Sequence, residues 1–396
     1  MTRVEAPANI GVLVWARETL GFDMDRAAKA AGVSPEKVKE WESGTSKPTL
    51  RQLEKLADLY RQPLISFFQD DHPEELDLPT DYRVIHSGDD VSLAPETIIA
   101  IGEARWRQSV AESLRREMDI NISFRPLRAE NQIDAESLAE KARKRLDVTE
   151  EKQALWAKDY RNTFKRWREL LEDAGILVFK FDFPRRNTRA FALTAKLAPV
   201  ITVSANDFQN AMIFSLFHEL AHLLLNQSST CNDLEFRSKA SSHNDKIEIF
   251  CNRFAGAFLV PAESLLQHRS VRNQFLHSLE ENRIQELAHH FGVSCEVILR
   301  RLVILDYLDI SFYKKWKNEQ DEYWKEREPV KKGGGGKDTY KYTVISSQGN
   351  AYIDTVLNAY SENIISLSEA SEYLAVKAKY VHELQEFLAK GGDMGE

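Results

Sequence analysis

The chain has 396 residues, 43% of them hydrophobic and 29% charged, with a formal net charge of −8. That length holds about two to four ordinary domains, and the composition excludes a wholly disordered or fibrous chain. No apolar run approaches the roughly 18 residues of a membrane span. The N-terminal residues, with Arg3, Glu5, Arg17 and Glu18, do not read as a secretory signal. Three scattered cysteines, Cys231, Cys251 and Cys295, fit a reducing, cytoplasmic setting rather than a disulfide scaffold.

Residues 9–68 predict a compact domain of five short helices. The first spans 9–21, and a second runs from Asp25 to Ala31, where Gly32 supplies a left-handed stop. Ser34-Pro35-Glu36-Lys37 opens the third with a capping hydroxyl, a proline in the first helical position and an early acid. Thr49 caps a fourth, and Pro63 turns the chain toward Leu64, Ile65, Phe67 and Phe68. Residues 69–96 are acidic and proline-bearing and read as a linker. Helices are then expected over 95–119, 134–146 and 151–172. The period changes at Gly175: 176–181, 188–194 and 199–203 predict three strands. A long apolar helix follows over 208–225, with further helices at 246–259, 262–266 and 281–308. The fold class is therefore α+β, a small sheet embedded among helices. Residues 311–338 read as an aromatic, charged and glycine-rich linker. Residues 339–396 read as a small α+β module, strand first and helices after, with Trp316, Tyr323 and Trp324 offered to dock it.

One local pattern carries chemistry. His218-Glu219-Leu220-Ala221-His222 is H-E-x-x-H within the apolar helix. Spacing of four puts both imidazoles on one face, where they can share a zinc ion, and Glu219 is placed to take a proton from water. Buried polar groups in so apolar a helix need a partner to offset their desolvation. A catalytic site needs a third ligand, and Glu248 is the choice: it starts a helix whose Phe250, Phe254, Ala255, Phe258 and Leu259 form a buried stripe. Asp233, Glu235 and His243, in the intervening loop, are its rivals. His243 is also a candidate for polarising a developing oxyanion, and Asn252 for pinning the metal helix. Such a site takes zinc, with manganese as the alternative.

The stretch His218–Leu225 followed by Glu248–Pro261 closely resembles the ImmA/IrrE family of metallopeptidases. The resemblance covers about 130–310 and implies a mostly helical, zincin-like peptidase domain. It assigns His218 and His222 as histidine ligands, Glu219 as general base and Glu248 as the acidic ligand. Known members are bacterial or phage-derived; they cleave helix-turn-helix repressors and so switch on stress-response or mobile-element genes. Many relatives carry an arginine and a threonine shortly before the first histidine. Here the stretch is Asn210 to Phe217, with Ser215 in the threonine's place and no equivalent of the arginine.

Residues 1–69 resemble an XRE/Cro-type helix-turn-helix domain through Ala27–Ser34, Val38, Trp41, Gly44, Lys47-Pro48, Leu53 and Leu56. The second helix of the motif would enter the major groove, with Ser34, Glu36, Lys37 and Lys39 near base edges and Arg17, Thr45 and Lys47 on phosphates. Residues 1–70 hold ten basic and ten acidic side chains. A neutral domain leaves open DNA binding or docking to the like domain of a partner repressor. Related domains often bind DNA as dimers, so a homodimer is a second expectation. The region after the glycine linker resembles the C-terminal module of long family members. Two functions follow: a zinc endopeptidase that cuts a repressor-like protein, or a DNA-binding or antitoxin-like regulator whose peptidase fold serves as sensor or docking surface.

Overall fold

The computed structural model describes residues 5–71, 93–122, 124, 134–184, 188–226, 229–231, 243–271, 279–325 and 339–389. It divides into two compact units, Met1–Glu103 with Asp182–Asn187 and Ala104–Phe181 with Thr188–Glu396. Most of the expected 69–96 linker and the glycine run lie outside the described residues.

The first unit contains α1 (Ile10–Thr19), α2 (Met24–Ala31), α3 (Pro35–Glu42), α4 (Leu50–Tyr60) and a 3-10 turn at Leu64–Phe68. Local chemistry sets each boundary. Asn9 caps α1 by accepting from the Gly11 and Val12 amides, Asp23 caps α2, and Gly32 ends α2 at φ 73°. A reciprocal Thr49–Gln52 capping box starts α4. Ser34 occupies the cap of α3, but its hydroxyl makes no capping hydrogen bond. Val12, Leu13, Ala28, Val38, Trp41, Leu53, Leu56 and Phe67 close the core.

The second unit is built on a four-stranded sheet, β1 (Leu177–Phe181), β2 (Ala190–Leu193), β3 (Val200–Ser204) and β4 (Ser229–Cys231), in the order β1-β3-β2-β4. β1 and β3 are parallel; the other pairs are antiparallel. Every residue of β1, β2 and β3 except Lys180 is buried, because helices cover both faces. Val178, Ile201, Ala192, Val203 and Ala190 are register partners and share the face that joins the main core. The alternate residues Phe179 and Phe181 face the other way, where Arg107 of α5 (Pro95–Glu117) lies over both rings.

Around the sheet stand α6 (Ala135–Arg145), α7 (Glu150–Lys158), α8 (Thr163–Asp173), α9 (Gln209–Leu224), α10 (His243–Leu259), α11 (Ala262–Gln267), α12 (Glu281–Phe291), α13 (Cys295–Ile304) and α14 (Ile310–Lys325). The tail forms α15 (Thr339–Gln348), α16 (Asn350–Ser361), α17 (Leu367–Tyr373) and α18 (Ala378–Ala389).

Several sequence expectations need correction. The helix expected over 151–172 breaks into α7 and α8. The Thr163 hydroxyl donates to the Trp156 and Asp159 carbonyls, and the break lets Trp156 meet Trp167 edge-on at 4.7 Å. The helix expected over 281–308 splits at Gly292, whose φ is 66°. Residues 310–325 are helix rather than linker. Trp316 donates to Glu281 at 3.2 Å and so docks α14 on α12, not the C-terminal segment; the Tyr323 and Trp324 side chains lie outside the description.

The strand expected at the start of the C-terminal module is helix α15, and the described residues of 339–389 include no strand. Its Thr, Tyr and Val content favours a strand, but helical spacing brings the buried Val344 and Gln348 to one side, and packing overrides propensity. The segment is also no detached module. Tyr352 meets Phe179 at 5.6 Å, and α15 packs along β1. Arg168 and Glu172, neighbours on α8, clasp the α15–α16 turn: Arg168 donates to the Ser346 carbonyl at 2.6 Å, and Glu172 accepts from the Asn350 amide at 3.2 Å.

Candidate metal centre

α9 is buried from Met212 to Leu224, as its apolar sequence requires. Phe217, one residue before His218, stacks on Phe258 of α10 at 4.2 Å and meets Trp167 of α8 edge-on at 5.0 Å. This aromatic column sets α9 against α10. The far end of α10 is held by three buried side chains. Arg143, Gln153 and Arg301 donate to the Phe258, Leu259 and Val260 carbonyls at 2.6, 2.7 and 2.9 Å. Arg301 is itself paired to both carboxylate oxygens of Glu136, at 2.5 and 3.0 Å. Donors placed on the last carbonyls of a helix satisfy groups that have no partner within it.

Against that frame, the two histidines and the carboxylate expected from the sequence converge. His218 Nε2 and His222 Nε2 lie 3.1 Å apart, and each is 3.2 Å from a different oxygen of Glu248. Donor atoms held at about 2.0–2.1 Å in a tetrahedral zinc shell are about 3.3 Å from one another, so the donor set and its spacing fit the metal. Among the described residues this is the one group of three such side chains close enough to hold an ion. Both imidazoles are fully buried, whereas the Glu248 side chain keeps 32% of its exposure, which leaves an approach to the centre.

The three side chains act on one another's charge. Burial pushes the Glu248 carboxyl up, but hydrogen bonds from His218 and His222 prevail and hold it well below the usual carboxylate range. Burial favours neutral His222. The influence of Cys251, with the bond that His222 donates to Glu248, reverses this and raises its pKa well above the ordinary histidine value. Asn252, one turn along α10 from Glu248, places Oδ1 at 3.0 Å from His218 Nδ1. That atom can fix the ring with Nδ1 protonated and Nε2 free to ligate. Glu219 is fully buried beside His218. Ser215, a turn earlier on α9, is buried with no hydrogen bond to its hydroxyl.

Of the rivals, His243 is the first residue of α10 and not part of a loop, because α10 begins before the expected start at 246. Asp233 and Glu235 lie outside the described residues. Sequence reasoning missed the electrostatic influence of Cys251 on His222 and the clamp of Arg143, Gln153 and Arg301. An isolated cysteine reads as packing, and charged residues on helices read as solvent-facing. Only tertiary contacts reveal either role.

The helix-turn-helix residues fall into two groups. Ser34, Glu36, Lys39, Thr45 and Lys47 are exposed on or beside α3. Lys37 pairs with Glu40 at 2.6 Å. A hydrogen bond from Ser34 lowers the pKa of Glu36. Arg17 is different, and its expected phosphate contact needs correction. Its guanidinium is paired to both oxygens of Glu42 at 2.7 and 3.0 Å and also donates to the Phe22 carbonyl at 3.0 Å. It ties α1 to α3 and is turned inward.

An H-E-x-x-H helix backed by a small mixed sheet and answered by a carboxylate from a second helix has the architecture of a metallopeptidase domain. The short helices around Gly32 make a helix-turn-helix. Comparison with known families agrees: residues 171–303 match the peptidase family model described as the IrrE N-terminal-like domain, and residues 13–66 match a helix-turn-helix model. The central domain thus resembles the IrrE-like metallopeptidases, and a helix-turn-helix domain of the XRE type stands ahead of it. No curated protein matches it. No helix among the described residues is long and apolar enough to cross a membrane.

Proposed function

We propose that this chain is a zinc-dependent endopeptidase that cuts a regulatory protein, a helix-turn-helix repressor or antitoxin-like partner. The observation that carries the proposal is the convergence of His218, His222 and Glu248 within 4.8 Å of one another, with a buried Glu219 next to the first of them. The two imidazoles and Glu248 would hold the metal. Zinc in such a set supplies Lewis acidity, which makes water a competent nucleophile near neutral pH. Glu219 takes the proton of the attacking water and delivers it to the leaving amide nitrogen as the carbon–nitrogen bond breaks. Asn252 keeps His218 in its ligating tautomer. A site with both imidazoles wholly buried admits an extended, displaced loop more readily than a folded surface, which suits selective cleavage. The exposed Lys39 and Lys47 favour a role for the first domain on DNA, delivering the peptidase to a repressor at its operator.

Glu219→Gln separates catalysis from scaffolding. Wild-type protein and the variant are expressed beside helix-turn-helix repressors of the same genome, and cleavage is followed by immunoblot with zinc content measured in parallel. The variant is expected to keep its metal and lose about 10²–10⁴-fold in cleavage rate. Equal effects of both proteins on the repressor would overturn the peptidase reading in favour of a regulator that uses the fold for docking.

A further inference from the structure

The buried stretch of α9, Met212–Leu224, holds four polar residues: Ser215, His218, Glu219 and His222. They are spaced as i, i+3, i+4 and i+7, so they lie along one side of the helix, and every other residue of the stretch is apolar. Three of the four belong to the metal centre. The fourth, Ser215, is 1% exposed, and its hydroxyl makes no hydrogen bond, not even to the carbonyl one turn back that a helical serine commonly takes. A buried hydroxyl in that state costs stability that an alanine would not. Sequences break such local rules chiefly at functional sites. Side chains on an α-helix lean toward its N-terminus, so the buried Glu219 lies over the turn that holds Ser215, four residues back.

We propose that Ser215 is a positioning residue for Glu219, its hydroxyl donating to the carboxylate and holding it in the orientation that receives the proton of the attacking water. The inference rests on the peptidase reading above. Hydrogen bonds of catalytic groups are often long or misaligned before substrate is bound and close in the reacting complex. A hydroxyl with no competing partner is free to make that bond when the carboxylate turns to the water. A donor to a carboxylate makes a charge-assisted bond, stronger than one between neutral groups. The serine keeps its own proton throughout, and Glu219 remains the group that carries a proton from water to the leaving nitrogen.

The test uses the full chain with its metal, and as probe the repressor cut in the Glu219→Gln experiment. Zinc content and urea unfolding of chelator-treated protein are measured alongside. Ser215→Ala is expected to keep its zinc and to unfold at the same or a higher urea concentration than wild type, because an unpartnered buried hydroxyl is gone. It is nonetheless expected to cleave about 10–100-fold more slowly, the scale for removing a group that orients another at a metal site. Ser215→Thr and Ser215→Val share one shape and differ in the hydroxyl, so the threonine variant is expected to cleave about tenfold faster than the valine variant. Cleavage at the wild-type rate by the alanine variant, or no advantage of threonine over valine, would overturn the role and leave the peptidase reading standing. A fall in zinc content or stability that matches the loss of cleavage in the alanine variant would reduce Ser215 to packing. A wild-type chain that cuts no repressor would remove both readings together.

Discussion

Glu172 and Glu248 are both enclosed by the second unit, and both have cationic or proton-donating neighbours, yet their acid–base character is opposite. Burial pushes Glu172 up to about 7 despite the Arg168 guanidinium 3.0 Å away. Glu248 is held far below the carboxylate range by two imidazoles. Glu172 and Arg168 are almost sealed, at 5% and 8% side-chain exposure, and both partners bear the cost of desolvation. Glu248 receives two convergent donors and keeps part of its surface, so its anion is maintained. One cluster locks the C-terminal helices to the sheet, while the other keeps negative charge beside two imidazole nitrogens.

Breaking the lock should have the largest effect on stability. Arg168→Ala strands Glu172 in the interior and should cost about 3–5 kcal/mol in urea unfolding. Gly349→Ala should act at the same place: Gly349 has φ 78°, and an added Cβ would run into Glu172, into Arg168 Nη2 at 2.6 Å and into the Val178 carbonyl at 2.9 Å. A drop well under 1 kcal/mol in both variants would show that the C-terminal helices contribute little to the fold.

The two carboxylates should also respond oppositely to pH. The pKa of Glu172 is raised from 4.5 to about 7, so its contribution is full below pH 4.5 and is lost as pH rises through 7. That of Glu248 is depressed, so its contribution is present above 4.5 and is lost as pH falls further. Unfolding followed from pH 4 to 8 in the presence of a chelator should show Glu172→Gln flattening the upper decline, by on the order of 2–3 kcal/mol. Glu248→Gln should leave the Glu172 decline in place and alter the acid limb.

Smaller effects sharpen the contrast at the metal side and in the first unit. Asn252→Ala should weaken zinc binding about 10–100-fold, or about 1.4–2.8 kcal/mol, with little change in chelator-treated stability. At Lys47, exposed beside α3, alanine should leave the unfolding midpoint unchanged and, if the domain holds DNA, lower the salt dependence of binding by about one ion.

What the sequence made legible follows the range of the forces involved. Local signals were read correctly: Gly32 at φ 73° ends α2, and Thr49 caps α4. Three of the four strands were visible from their apolar runs; β4, only three residues long, is too short to show a period. The convergence of His218, His222 and Glu248 was legible because histidines four apart must share a helix face, and because Glu248 lies on the next long apolar helix. The C-terminal segment was misread because Tyr340, Tyr342 and Val344 look like a strand by propensity, while packing along β1 and the Arg168 bond to the Ser346 carbonyl are long-range. Arg17 shows the same limit. A cation beside a recognition helix suggests a phosphate contact, and only the position of Glu42 turns it inward.

The most direct test of the central claim is the metal content of purified wild-type chain beside Glu248→Ala, read by elemental analysis. The account predicts about one zinc per chain in the wild type and its loss in the variant. Carefully prepared wild-type protein that carries no zinc and takes none up, or a Glu248→Ala variant that retains the full complement, would contradict it.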